Sequence, residues 1–154
     1  MDEMNRLRQL GLSLPPVPRP VAVYVPAKRA GNLVWISGQT PTREGKLLIR
    51  GKLGKDLTVE QGQEAARLAI LNCLAILHDY LHGDLDRVVQ VVQVVGYVAS
   101  AEGFGEQPLV MNGASQLLVD LFGERGKHTR LALGANELPF GAPVEVTLLV
   151  EIRD

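Results

Sequence analysis

The sequence predicts an α+β sandwich: a mixed β-sheet with two helices packed on one of its faces. Three stretches carry that prediction. Residues 58–81 form a capped amphipathic run, residues 87–100 a valine-rich run, and residues 143–152 a run that alternates apolar and polar side chains. The first has the helical period, and the other two have the composition and period of strands. Two helices on one face of the sheet leave the opposite face in need of a partner.

The elements follow in order. Met4, Leu7 and Leu10 recur at helical spacing and Gly11 supplies a stop, so residues 3–10 read as a short helix. The proline-rich LPPVPRP continues it as an extended arm. Residues 1–20 are thus expected to form an N-terminal helix and arm, and residues 21–154 a single domain. VAVYV and NLVWISG are β-branched and aromatic runs joined by PAKRAG, which reads as a hairpin. Between glycine turns, KLLI adds a short strand. Thr58 and Gln61 then have the spacing of a capping box, opening the long helix that Gly83 and GDLD end. Val88, Val89, Val91, Val92, Val94 and Val95 are β-branched, which disfavours helix and predicts a long central strand. A second helix spans about 107–122, and strands near 128–135 and 143–152 close a β-β-(β)-α-β-α-β-β order.

Composition bounds the function classes. A chain of 154 residues with 46% hydrophobic and 21% charged side chains buries a core without disulfides or structural metal. A formal net charge of -1 supplies no electrostatic footprint for nucleic acid. Cys73 is the single cysteine, and the first twenty residues lack the pattern of a signal peptide, so a cytoplasmic protein is expected. No apolar run approaches membrane-spanning length, so no membrane partner is expected. His78 and His82 stand i, i+4 on the long helix, but nothing nearby completes a metal site, and a helix C-terminus favours histidine anyway. Cys73 lies in an apolar stretch and reads as core rather than nucleophile. No Walker or dinucleotide glycine pattern stands in its proper context. Neither metal nor cofactor is expected.

The last two strands hold the candidate chemistry. Val144, Val146, Leu148 and Val150 share one face of the final strand, and Glu145, Thr147, Leu149 and Glu151 the other. A mixed face of that kind suits an interface between copies, with a ligand cleft between protomers. Arg130, Ala132 and Gly134 share a face in TRLALG, so the guanidinium lies over small residues that leave room for a ligand. Its planar fork matches a carboxylate through two parallel hydrogen bonds. An arginine paired with Asp or Glu as a structural bridge is the competing reading. Glu145 stands between acid/base work and a plain surface ion pair. His128 shares the parity of Arg130, but it reads first as a polar residue at a strand start.

GNLVWISGQTP resembles the early signature of the RidA family, also called YjgF/YER057c/UK114. The stretch TRLALGANELPFGAPVEVTLLVEI resembles its C-terminal signature, with Arg130, Leu138, Pro139, Gly141, Ala142 and Glu145 at the family spacing. The resemblance covers roughly residues 20–152, with the N-terminal helix and GKLLIRGKLGKDLT departing from the shortest members. It implies a chorismate-mutase-like fold and a homotrimer whose sheets pack into a central barrel, with ligand clefts between subunits. It also implies hydrolysis of reactive 2-imino or enamine acids to 2-keto acids and ammonia. Arg130 would hold the carboxylate of that small metabolite and Glu145 would manage water or a proton. Tyr24 flanks the cleft in this reading, or packs on a strand. Ser37, Gly38 and Gln39 would bring backbone close to the ligand, or merely end a strand. Asn112 corresponds to a family helix asparagine near the cleft, although the following Phe-Gly shifts the register by about one turn. Ala132 stands where many members carry cysteine or serine, removing a polar contact. The alternative is a non-catalytic module that binds a small carboxylate metabolite. The older family labels of endoribonuclease and translation inhibitor conflict with the near-neutral charge and the lack of a basic-aromatic stripe.

Overall fold

Thr58 opens the longest element as its sequence requires: its hydroxyl accepts from the Gln61 backbone N–H, and the Gln61 side chain accepts from the Thr58 N–H. In the computed structural model, which describes residues 2–20 and 22–154, this helix is α2, Val59–Tyr80. The other helices are α1, Glu3–Gln9, and α3, Gln107–Phe122. The strands are β1 Ala27–Ala30, β2 Leu33–Gln39, β3 Thr42–Arg43, β4 Lys46–Leu47, β5 Val88–Ala99, β6 Thr129–Ala135 and β7 Val144–Ile152. The main sheet has the order β1-β2-β7-β5-β6. Among the described strands of this sheet β5 and β6 pair in parallel, because α3 carries the chain back between them, and the other neighbours pair antiparallel.

The expected first strand is displaced. Val21 lies outside the described residues, and 22–24 form bends, with Val23, Tyr24 and Val25 exposed. The strand falls instead inside the expected turn: Ala27 pairs with Ile36 and Ala30 with Leu33, leaving only Gly31 and Asn32 as the loop. Gly31 adopts a φ of 60°, the conformation that a two-residue hairpin demands, so a tight turn replaces the six-residue loop. Pro26 lacks an N–H and ends the pairing, its carbonyl accepting from the Ser37 N–H. KLLI supplies a short strand as expected, β4, which pairs with β3 in a separate hairpin turning at Glu44 and Gly45.

The two helices cover one face of the sheet, as the element order implies. Val34, Ile36, Val91, Val94, Val98, Val144, Val146, Leu148 and Val150 are buried against α2 and α3, and α1 adds Leu7 to the same core. Alanines 65, 66 and 69 on α2 let the helix lie close. Cys73 belongs to this core; its thiol reaches the Val146 carbonyl and burial pushes its pKa up, away from thiolate chemistry. His82 lies beyond α2 at a φ of 55°, so the i, i+4 histidine pair does not share a helix face. On the opposite face Trp35, Tyr97, Leu131 and Leu133 stay exposed. Among the described residues no helix is long and apolar enough to cross a membrane.

Candidate functional site

Glu145 projects from the uncovered face of β7, beside a bulge in β2. Ile36 faces Leu148 and Gln39 faces Val146, so β2 spends one more residue than β7 over the same span. Gly38 occupies the bulge because the Glu145 side chain occupies the space there: a Cβ at position 38 would lie 2.5 Å from Glu145 Oε2. Ser37 Oγ donates to the Val25 carbonyl at 2.7 Å, tying the 22–26 segment to the bulge. Tyr24, Gly38, Gln39 and Glu145 therefore line one cavity of about 560 Å³, with the proline arm and Phe140 on its other walls. Asn72, buried on α2, holds the floor by donating to the Thr40 and Thr42 carbonyls at 3.0 and 2.8 Å.

The Glu145 carboxylate accepts no hydrogen bond among the described residues, and burial raises its pKa from the ordinary glutamate value. A carboxyl group shifted in this direction holds an accepted proton more readily, as a general base must. Gly38→Ala tests that placement. The obstructing atom is the tip of a flexible side chain, so the variant folds with a Tm within about 2 °C of wild type. The carboxylate is nonetheless pushed aside, and any activity that depends on it falls about tenfold or more. Unchanged activity by steady-state assay would remove Glu145 from the chemistry.

Arg130 lies on the other face. It pairs with Val94, a buried residue beneath α3, whereas Glu145 pairs with Tyr97 on the uncovered face. Two strand spacings also separate β6 from β7, about 10 Å. Within one chain the two charged residues do not share a cavity. Arg130 instead meets α3: Nη1 donates to Asn112 Oδ1 at 2.9 Å and to Ser115 Oγ at 3.1 Å, and Nη2 to the Pro108 carbonyl at 3.3 Å. These bonds use three of five N–H groups, leaving Nε–H and one Nη2–H for a planar acceptor such as a carboxylate. No acidic side chain forms an ion pair with Arg130 among the described residues, against the structural-bridge reading.

Two more residues join this cluster: Ser115, which the sequence did not single out, and His128, whose parity with Arg130 it did. His128 Nδ1 lies 2.6 Å from the Gly126 carbonyl, which can only accept, so this nitrogen carries the proton. In the neutral ring Nε2 then accepts from the Ser115 hydroxyl at 2.9 Å, and Ser115 Oγ accepts from Arg130. The guanidinium is thus held by a directed chain of bonds. The signal was present in the sequence: His128 and Arg130 share strand parity, and Asn112 and Ser115 are i, i+3 on one helix face. Asn112 meets Arg130 despite the apparent shift of register.

Residues 4–152 match the profile of the family described as "YjgF/chorismate mutase-like, putative endoribonuclease". Protein TCP17 of Trypanosoma cruzi is 43% identical over 149 residues, covering 96% of this chain and 92% of that protein. The crystal structure of Atu1372 from Agrobacterium tumefaciens superposes with a TM-score of 0.91 at 43% identity, over 98% of this chain and 92% of that one. A protein from Shewanella oneidensis bearing the same endoribonuclease label gives a TM-score of 0.95 at 36% identity, over 99% and 100% of the two chains.

Proposed function

Because the chain belongs to the YjgF/chorismate mutase-like family, we propose that it hydrolyses reactive 2-imino acids, and their enamine tautomers, to 2-keto acids and ammonia. The observation that carries this reading is the pair of incomplete half-sites: a guanidinium with two N–H groups to spare, and a desolvated carboxyl group in a cavity. They lie on opposite faces of one chain, and a second copy brings them together. The uncovered apolar face, with Trp35, Tyr97, Leu131 and Leu133, is the surface through which three copies associate.

The chemistry asks little of the protein. Arg130 holds the substrate carboxylate and thereby orients C2, the imine carbon. An enamine takes a proton from solvent at carbon and an imine takes one at nitrogen, and both give the same iminium. Glu145 accepts a proton from water as its oxygen attacks C2, then gives it to nitrogen as the C2–N bond breaks. The water oxygen becomes the keto oxygen; the iminium nitrogen, which already carries two hydrogens, takes both water protons and leaves as ammonium. A raised pKa serves both halves of that cycle. An amino acid oxidase generating the imine in situ supplies the test: the full chain speeds 2-keto acid formation above the spontaneous rate. Tight 2-keto acid binding without acceleration would instead favour a non-catalytic carboxylate-binding module.

A further inference from the structure

The cavity beside Glu145 is several times larger than a three-carbon acid and falls within the range of pockets for larger organic ligands. Its lining includes polar residues such as Arg19, Gln39 and Glu44, but also large apolar side chains that face the open space. Val17 is 42%, Tyr24 47% and Phe140 74% exposed, and all three line it. Phe140 is the most telling of these. Its backbone sits at a φ of 59°, a region that bulky L-residues rarely adopt, and the Arg50 guanidinium donates to its carbonyl oxygen. Strain of this kind persists only where the surroundings impose it, and an exposed ring gains nothing for folding in return. The opposite wall is pre-organised as well, since Pro16, Pro18 and Pro20 fix φ along the arm and Pro15 anchors it by burial. Prolines and a clamped aromatic residue make a wall that is ready before a ligand arrives.

We infer that Val17, Tyr24 and Phe140 form a side-chain subsite, and that the substrates are 2-imino acids with a large apolar side chain, aromatic or branched, rather than three-carbon ones. This rests on the deaminase reading for its chemistry, with Glu145 at the reacting end of the cavity. The hydrophobic contact itself is independent of turnover, so binding separates the two.

Titration calorimetry of the full chain with phenylpyruvate, 4-methyl-2-oxopentanoate and pyruvate provides the test. The two larger 2-keto acids are expected to bind about tenfold more tightly than pyruvate. Phe140→Gly is expected to cut that ratio to about threefold or less while keeping or raising Tm, because glycine tolerates the positive φ. Tyr24→Ala should lower the ratio in the same direction by a separate route. Equal binding of the three acids by wild type, or a ratio unmoved in both variants, overturns the subsite. Preferential binding of the larger acids with no acceleration of any imine leaves the subsite standing and removes the deaminase reading. Turnover of imines from alanine, leucine and phenylalanine at equal efficiency does the reverse.

Discussion

Refolding an equimolar mixture of Arg130→Ala and Glu145→Gln recovers about a quarter of wild-type imine hydrolysis, although each variant alone is nearly inactive. The single losses follow from the chemistry. Arg130→Ala removes a charge-assisted, two-pronged contact and lowers kcat/KM about 100-fold, mostly through orientation. Arg130→Lys keeps the charge but not the fork and loses about tenfold. Glu145→Gln cannot exchange a proton and loses about 100-fold. Restoration depends on geometry: Arg130 faces α3 with Val94, and Glu145 faces away with Tyr97. If each cleft takes Arg130 from one copy and Glu145 from another, half the contributing copies retain each residue, so about one cleft in four is intact. If the site were assembled within one chain, every site in the mixture would lack one residue. Activity at the level of the parents in the mixture therefore eliminates the shared cleft, and light scattering checks that both variants still associate.

Much of this was legible in the sequence because burial writes a strong periodic signal. The alternation of Val144, Val146, Leu148 and Val150 placed Glu145 on the uncovered face, and the structure keeps that parity along β7. The α+β order and the capped helix were readable for the same reason. The first strand was not: VAVYV has higher β-propensity than AKRA, but Pro26 and the two-residue turn at Gly31 set the register, and pairing overrides propensity. Nor did alternation reveal that Arg130 and Glu145 lie on opposite faces of the sheet. That depends on how β5 pairs with both β6 and β7, a relation between strands distant in sequence. The Ser115–His128 contact spans only thirteen residues, yet it needed the position of α3 over β6 to become visible. The strain at Phe140 leaves no compositional trace at all.

Gly113→Ala is expected to destabilise the fold by about 3 kcal/mol, lowering Tm by roughly 6–12 °C in a domain of this size. Local propensity argues the opposite, since alanine favours a helix interior over glycine by about 1 kcal/mol. Packing decides the sign. A Cβ at position 113 would lie 2.1 Å from the Gln63 carbonyl oxygen and 2.8 Å from its Cα, both backbone atoms of α2. No side-chain rotation relieves that overlap, so the helices must separate, and the Gln63 side chain's bond to the Leu109 carbonyl at 2.9 Å is strained with them. Around this crossing Ala66, Ile70, Val110, Ala114 and Leu117 are fully or nearly fully buried, so a gap here exposes or empties core. The functional consequence follows from position: Asn112 and Ser115 flank Gly113 and hold Arg130, so moving α3 slackens the guanidinium even in molecules that remain folded. A thermal melt that shows equal or higher Tm for Gly113→Ala would mean that the helix crossing is looser than these contacts require. Gly38→Ala supplies the contrast, because there the added methyl group meets a movable carboxylate rather than main chain, so function fails while the fold holds.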